Sequence, residues 1–145
     1  SDISAADTQI FHFDKRWWLF TNMCSSNIGD HNSELHIFHS EKLIDGTWIP
    51  HPKNPVIFDS NQARNGGLIF DDDKIYRTFQ RQGFDLYGEG FGIAEIVTLS
   101  EDDYVENQLC QIDPCFLPNI KGTHSFNYAN NLAVFDFKKI EKKRT

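Results

Sequence analysis

Short apolar runs alternate with polar turns along this chain, and one arrangement of them recurs three times. In each copy two apolar runs flank a two-residue polar turn, at residues 14–15, 72–73 and 130–131. The turns are spaced 58 residues apart, and the Asp and Asn residues in them tolerate the left-handed backbone that tight turns require. A fixed interval with two strands in each copy predicts three β-hairpins of one repeated unit.

A third apolar run follows each of the first two hairpins, at residues 35–39 and 93–99. The second strand of the first hairpin is apolar on both sides, with Trp17 on one and Trp18 on the other, so we expect both faces of its sheet to be covered. Three prolines within residues 50–55 exclude a central strand there. No long run with a period of 3.6 residues occurs, so the pattern predicts an all-β fold.

Antiparallel units of three or four strands that repeat about every 50 residues are typical of β-propeller blades. A flat meander or a sandwich is the alternative, but strands with two apolar faces favour stacked blades, which bury both faces of each sheet. We therefore predict a partial β-propeller of about two and a half antiparallel blades. Within a single domain, residues 1–145, the units span about 7–58, 59–115 and 116–140, and a basic tail occupies 138–145.

An incomplete propeller has a consequence for assembly. Propellers close with about four to eight blades. An open arc of blades leaves strand edges without hydrogen-bond partners and exposes apolar faces, which favours aggregation. We therefore expect a homo-oligomer in which another copy, or another chain, covers these edges.

Composition narrows the classes of partner. The net charge of −7 argues against nucleic acid, which needs a basic face. No apolar stretch approaches the length of a membrane span, and no secretory signal is visible. The three cysteines, Cys24, Cys110 and Cys115, are an odd number without zinc-like spacing, which favours free thiols and a cytoplasmic location.

Several motifs, taken in order, resemble a known family. They read Trp17-Trp18-Leu19-Phe20-Thr21, His51-Pro52-Lys53-Asn54-Pro55, Ala63-Arg64-Asn65-Gly66-Gly67 and Gly122-Thr123-His124-Ser125-Phe126-Asn127. This order is similar to that of the glycosidase-like five-bladed β-propeller domain in plant glucosamine inositol phosphorylceramide transferases. Related bacterial proteins share the resemblance, and some of them are fused to a sugar formyltransferase-like domain. The chain also resembles the five-bladed glycoside hydrolases, but more distantly.

The resemblance covers nearly all of this chain and implies that it corresponds to the back part of such a domain, with the third blade beginning near Asp7. In the hydrolase relatives the front blades carry the catalytic carboxylates, and those blades have no counterpart in this sequence. The resemblance therefore implies a carbohydrate-related module in which Asp7 is the best candidate for a catalytic carboxylate.

Three polar residues of the second unit are candidate ligand-binding residues. Arg64 precedes Gly66 and Gly67, which permit close backbone approach, and its guanidinium offers a planar fork of donors to a sugar hydroxyl, carboxylate or phosphate. The alternative is that Arg64 ties two blades together through backbone carbonyls. Arg77 and Gln80 interrupt an apolar strand at positions of opposite parity, so on a regular strand one would reach a ligand while the other bonds between blades.

Two further candidates lie near glycines and at the third hairpin. Tyr87 sits in a glycine-rich stretch and would stack on a sugar ring, with simple packing as the alternative. A phosphate loop is disfavoured there because no helix follows and the acidic residues Asp85 and Glu89 would repel phosphate. His124 begins the third hairpin and would bond a sugar hydroxyl or a water, with a structural hydrogen bond as the alternative.

The sequence favours neither a metal site nor independent catalysis. His36 and His39 differ in parity and cannot share a strand face, so we expect no metal, and no motif implies another cofactor. Glycosidase chemistry needs two carboxyl groups about 5 to 9.5 Å apart. Glu95 is a poor partner for Asp7 because it lies on an apolar-rich strand, so no convincing pair emerges.

The sequence thus favours a carbohydrate-related propeller module that binds a sugar or sugar conjugate, or that completes a larger glycosyl-processing protein, without catalysis by the isolated chain. The alternatives are an oligomeric protein-interaction module, or a truncated relic that retains no sugar chemistry.

Overall fold

The computed structural model describes residues 4–25, 29–83 and 88–139. The described residues form these strands: β1 (Ala5–Phe13), β2 (Arg16–Met23), β3 (Glu34–Ser40), β4 (Ile49–Pro50), β5 (Ile57–Phe58), β6 (Asn65–Asp71), β7 (Lys74–Arg81), β8 (Gly90–Leu99), β9 (Tyr104–Ile112), β10 (Ile120–Gly122), β11 (Phe126–Ala129), β12 (Leu132–Phe135) and β13 (Lys138–Lys139). They contain no helix, and thus no helical segment long and apolar enough to cross a membrane. The all-β prediction is confirmed.

The three predicted hairpins are present. Antiparallel pairing joins β1 to β2, β6 to β7 and β11 to β12 around the turns at residues 14–15, 72–73 and 130–131. The first residue of each turn has a positive φ, of 46°, 49° and 52° in chain order. Asp and Asn accept this left-handed conformation at a lower cost than most residues, so the turn chemistry explains where the chain reverses.

Each of the first two hairpins is extended by further antiparallel strands. In the first sheet β3 adds to β2, and the short strands β4 and β5 both pair with β3. In the second unit β8 adds to β7 and β9 adds to β8. The proline-rich segment contributes only two-residue edge strands, because proline cannot donate a ladder hydrogen bond.

The main hydrophobic core lies between the first sheet and the sheet of the second unit. Its buried members are Phe11, Trp18, Phe20, Leu35 and Ile37 from the first unit, with Ala63, Leu68, Ile75 and Tyr104 from the second. Phe20 is fully buried and meets the ring of Tyr104 edge-on, with centroids 5.7 Å apart. Burying one such side chain stabilises the fold by roughly 1.5 to 3 kcal/mol, so this face-to-face contact holds the two sheets together.

The third hairpin joins the sheet of the second unit. Tyr128 pairs in parallel with Ile69, so β11 and β12 form one mixed six-stranded sheet with β6, β7, β8 and β9. Pairing within the units is antiparallel, as expected, and this parallel pair lies between two units. The parallel pair forms because the third hairpin approaches Gly67 closely, where an added Cβ would lie 2.3 Å from the carbonyl oxygen of Phe126.

The first strands of the three units are neighbours. Phe11 of β1 contacts Phe70 of β6, with ring centroids 5.7 Å apart, and β6 pairs with β11. Three of the candidate residues, Asp7, Arg64 and His124, lie at or just before the beginnings of these strands. No sheet among the described residues is closed. The propeller arrangement and the unit boundaries remain predictions.

Candidate functional site

A β-bulge near the beginning of β1 determines where Asp7 points. The antiparallel register with β2 shifts between Ala6 and Gln9, and Asp7 within this bulge has a φ of 50°. A bulge bends its strand and redirects a side chain, and a left-handed non-glycine residue persists only where its surroundings hold it. The irregularity therefore places the Asp7 carboxylate against the second unit.

Two donors from the second unit meet one oxygen of this carboxylate. Arg64 donates Nε–H to Oδ2 of Asp7 at 2.6 Å, and Gln80 donates Nε2–H to the same oxygen at 3.0 Å. The Nη1 group of Arg64 also donates to Oδ1 of Asn32 at 2.7 Å. We call Asp7, Asn32, Arg64 and Gln80 the Asp7 cluster. It joins both units across their inner ends.

Asp7 retains one carboxylate oxygen for another partner. Its side chain is 32% exposed, and no hydrogen bond from a described residue reaches Oδ1. The charge-assisted bonds to Oδ2 fix the orientation of the group. The arrangement therefore presents an oriented acceptor at the surface of the cluster.

Gln80 presents a second acceptor. The residue is only 4% exposed, and its Nε2 also donates to the carbonyl oxygen of Asn65 at 2.7 Å. Its Oε1 is buried, and none of the described residues donates a hydrogen bond to it. An unsatisfied buried acceptor costs about 1 to 3 kcal/mol, so its retention calls for a bound polar group such as water or a ligand hydroxyl.

Asn65 supports this end of the site. Its Nδ2 donates to the backbone oxygen of Asp7 at 3.1 Å, and its backbone N–H donates to Oδ1 of Asn22 at 2.8 Å. Sequence reasoning did not select Asn65 or Asn32. The 58-residue interval held a signal for Asn65, because it places this residue at the position equivalent to Asp7. Asn32 lies in a loop before β3 and carries no such signal.

Arg77 lies behind the cluster, and its guanidinium donates hydrogen bonds to other described residues of the chain. The residue is fully buried, and its Nε and Nη2 donate to the two carboxylate oxygens of Glu106 at 2.8 and 2.7 Å. Its Nη2 also donates to the backbone oxygen of Gln62 at 2.7 Å. The structure thus places this ligand-binding candidate where it supports the segment that leads into Arg64.

The buried pair formed by Arg77 and Glu106 stays ionised. Burial alone would favour the neutral form of each group, but their mutual attraction is stronger. As a result the pKa of Arg77 is raised and the pKa of Glu106 is lowered below its usual range. Burial, together with the neighbouring Glu106, raises the pKa of Tyr104.

His124 belongs to a second group, at the beginning of the third hairpin. Its Nδ1 lies against Oδ2 of Asp136, whose Oδ1 accepts the backbone N–H of His124 at 3.0 Å and of Ser125 at 2.8 Å. Burial opposes the charge of Asp136, but these backbone bonds lower its pKa. An added Cβ at Gly88 would lie 2.9 Å from His124, which explains the glycine there. No hydrogen bond between described residues links His124 to the Asp7 cluster.

Tyr87, the two glycines after Arg64 and the possible metal ligands are the remaining candidates. Tyr87 lies outside the described residues. Gly66 and Gly67 face the backbone of the third hairpin, where an added Cβ at Gly66 would lie 3.0 Å from the carbonyl oxygen of His124. Within residues 4–25, 29–83 and 88–139 no group of three or more metal-ligating side chains comes together.

The sequence of the chain is similar to that of one known protein family. A family model described as glucosamine inositolphosphorylceramide transferase 1, N-terminal, matches residues 3–144. Glucosamine inositolphosphorylceramide transferase 1 of Oryza sativa subsp. japonica is 30% identical over 103 residues, and so is the protein of the same name from subsp. indica. Each match covers 69% of this chain but only 14% of the relative's length. No solved structure matches the chain.

Proposed function

The chain belongs to the family of the N-terminal domain of glucosamine inositolphosphorylceramide transferase 1, and on that premise we propose that it is a partial β-propeller module that binds a sugar or sugar conjugate at the Asp7 cluster. The isolated module binds its ligand without turning it over. The name of the relatives supports a carbohydrate ligand, because it describes a transferase of a sugar derivative.

The arrangement of the first strands supports the propeller part of the proposal. The first and second sheets pack face to face, and β1, β6 and β11 lie side by side. In a propeller the first strand of each blade lines the central channel, and ligands bind where these strands meet. Asp7 and Arg64 lie at the beginnings of β1 and β6, which is the place where such a channel opens.

The chemistry of the Asp7 cluster supports the ligand class. The buried Oε1 of Gln80 and Oδ1 of the partly exposed Asp7 side chain can both accept hydrogen bonds, and a sugar presents several neighbouring hydroxyl donors. The unsatisfied Gln80 oxygen is the observation that carries the proposal, because a hydroxyl there would remove its desolvation cost. The guanidinium of Arg64 fixes the carboxylate for this contact.

The partners of Asp7 support binding without catalysis. A glycosidase needs a general acid and a base or nucleophile from two carboxyl groups. The two side chains that hold Asp7 are a guanidinium and an amide, and neither is a second carboxyl group. Glu95, the weaker candidate, instead pairs with Lys74 at 2.8 Å.

Calorimetric titration of the chain with neutral hexoses, hexosamines and inositol tests the proposal. Gln80→Leu removes the buried acceptor and is expected to weaken binding by about tenfold or more. Gln111→Leu is the matched control, because Gln111 is exposed on the edge strand β9, which lies two strands away from Gln80; this variant should bind as the parent does.

Two outcomes contradict the proposal. If no carbohydrate binds the parent chain, the ligand class is wrong and a relic without sugar chemistry is favoured. If the purified chain cleaves a glycoside and Asp7→Asn abolishes the cleavage, the non-catalytic part is wrong. Asn suits this test because it tolerates the left-handed backbone at position 7.

A further inference from the structure

Two glutamine side chains at the end of β7 each keep one buried polar atom to which no described residue forms a hydrogen bond. These atoms are Oε1 of Gln80 and Nε2 of Gln82. Gln80 belongs to the Asp7 cluster, and Gln82 lies two residues after it, outside the cluster. The first atom accepts hydrogen bonds and the second donates them, so the two atoms require different partners.

The orientation of each amide is determined by the partners of its other atom. Nε2 of Gln80 donates to Oδ2 of Asp7 at 3.0 Å and to the carbonyl oxygen of Asn65 at 2.7 Å, and both of these oxygens are acceptors. Oε1 of Gln82 accepts the backbone N–H of Gly88 at 3.2 Å. Reversing either amide would place an acceptor against acceptors or a donor against a donor. The open acceptor therefore belongs to Gln80 and the open donor to Gln82.

Both side chains leave the chain on the side of the third hairpin. Residues two apart on an extended chain lie on the same side, so Gln80 shares its side with Thr78 and Gln82. The hydroxyl of Thr78 donates to a backbone oxygen at the start of β11 at 3.0 Å. Gly88, which the Gln82 amide holds, accepts the backbone N–H of Thr123 at 2.9 Å. The open acceptor and the open donor therefore belong to neighbouring side chains at the junction between the second unit and the third hairpin.

A hydroxyl group meets the requirements of both amides, because it donates one hydrogen bond and also accepts hydrogen bonds. An ammonium group can donate to Gln80, but it has no lone pair with which to accept from Gln82, and an unpaired buried donor is unfavourable. The charge of Asp7 would attract an ammonium group. The guanidinium of Arg64 already pairs with that carboxylate at 2.6 Å, which reduces this attraction.

We propose that Gln82 is a specificity-determining residue of the ligand site, and that the two amides share a neutral sugar hydroxyl in preference to the ammonium group of an amino sugar. The hydroxyl donates to Oε1 of Gln80 and accepts an N–H of Gln82 Nε2. This inference rests on the proposed function. It narrows the ligand from carbohydrates in general to sugars that carry a hydroxyl, rather than a charged amine, at the shared position.

Calorimetric titration at about pH 6.5, where the amine of an amino sugar is protonated, tests the inference. The probes are D-glucose, D-galactose and D-mannose, each with its monodeoxy and monoamino derivatives. The shared hydroxyl is the one whose removal weakens binding to the parent chain but not to Gln82→Met, which lacks the donor. The amino derivative at the same carbon should bind the parent at least about tenfold more weakly than the hexose.

Gln82→Glu is the decisive variant, because its carboxylate can still accept the N–H of Gly88 while its second oxygen replaces the donor with an acceptor. We expect the hexose to bind about tenfold more weakly than to the parent, and the amino derivative to bind more tightly than the hexose. Gln111→Glu is the control, because it adds the same charge on the exposed edge strand β9 and should keep the preference of the parent. If Gln82→Glu does not fold, as judged by circular dichroism, Gln82→Met should weaken hexose binding by a similar factor without improving that of the amino derivative.

Two results would overturn the inference and leave the proposed function intact. One is hexose binding that is unchanged in both Gln82→Glu and Gln82→Met, which would show that Gln82 does not contact the ligand. The other is a parent chain that binds every amino derivative as tightly as the hexose. In both cases loss of binding in Gln80→Leu would still support the ligand site. A parent chain that binds none of these sugars contradicts the proposed function itself, and the inference with it.

Discussion

The junction between the first and second units differs from the junction between the second unit and the third hairpin, although the repeat places equivalent residues at both. At the first junction Asn22 donates Nδ2–H to the carbonyl oxygen of Ala63 at 2.9 Å and accepts the backbone N–H of Asn65 at 2.8 Å. At the second junction the equivalent residue is Gln80, whose Nε2 donates to Asp7 and whose Oε1 accepts no hydrogen bond from the described residues. The side-chain oxygen at this position thus accepts a hydrogen bond in the first unit, whereas in the second unit no described residue donates one to it.

Apolar packing follows the same contrast. The first junction contains the main hydrophobic core, with Phe20, Leu35 and Ile37 fully buried. The second contains one parallel residue pair and the stacked rings of Phe91 and Phe126, whose centroids are 5.4 Å apart. Apolar burial is therefore concentrated at the first junction, whereas the second junction contains a buried polar group, Oε1 of Gln80, to which no described residue donates a hydrogen bond.

The largest expected effect comes from breaking the first junction. Phe20→Ala removes a fully buried ring between the two sheets and is expected to lower the free energy of unfolding by about 3 to 5 kcal/mol. Chemical denaturation followed by circular dichroism measures the change. The matched control is Phe58→Ala, because Phe58 is 74% exposed; a similar loss in both variants would contradict the importance of the core.

A smaller effect is expected at the second junction. In Gly67→Ala the new Cβ would lie 2.3 Å from the carbonyl oxygen of Phe126, and the φ of 151° disfavours a side chain. We expect a loss of about 1 to 3 kcal/mol, confined to the third hairpin. Hydrogen exchange should show faster exchange in β11 and β12 and unchanged exchange in β2 and β3. Gly29→Ala separates backbone strain from the clash, because it has a φ of 80° and no atom within 4 Å; equal effects in both would argue against the close approach.

The smallest expected effect is a dependence of stability on pH, caused by His51 beside the first junction. His51 is buried, and its Nδ1 accepts the N–H of Lys53 at 3.2 Å. Burial lowers the pKa of His51 below the ordinary 6.5, although the carbonyls of Asp103 and Ser100 oppose this shift. The unfolded chain therefore binds a proton that the folded chain does not, once the pH falls below about 6.5. Stability should decrease from that pH downward by at most about 1.4 kcal/mol per pH unit.

Denaturation at pH 7.5, 6.5 and 5.5 checks this expectation. His51→Gln should flatten the dependence over this range, whereas His12→Gln, which changes an exposed histidine, should leave it unchanged. The carboxylates whose pKa is lowered, such as Glu106 and Asp136, contribute at lower pH, because their stabilisation is present above about 4.5 and is lost as the pH falls through their folded-state pKa. A dependence that persists in His51→Gln would assign it to another group.

Much of the fold was predictable because local chemistry determines it. The polar turns and the alternation around them predicted all three hairpins, and the apolar runs predicted β3 and β8. The motif order predicted the family, which the comparison confirms. These features depend on residues that are near one another in the chain.

Features that depend on distant residues were not predictable in the same way. The alternation along β7 predicted that Arg77 and Gln80 lie on opposite sides of the strand. Only the fold shows that the guanidinium of Arg77 is paired with the carboxylate of Glu106. The bulge that turns Asp7 toward Arg64 leaves no trace in the alternation of β1, and the parallel pairing of the third hairpin depends on how closely two backbones approach. Candidates selected as separate residues, Asp7, Arg64 and Gln80, became one group only through these contacts.

The position of the Asp7 cluster across two units has a thermodynamic consequence. Asp7 belongs to the first hairpin, while Arg64 and Gln80 belong to the second unit. A molecule that contacts both sides bridges chain segments that separate on unfolding, so occupancy is linked to the melting temperature through mass action. A ligand of the Asp7 cluster would therefore be detected in a thermal-shift screen as an increase in melting temperature, because it would bind the folded chain and not the unfolded one.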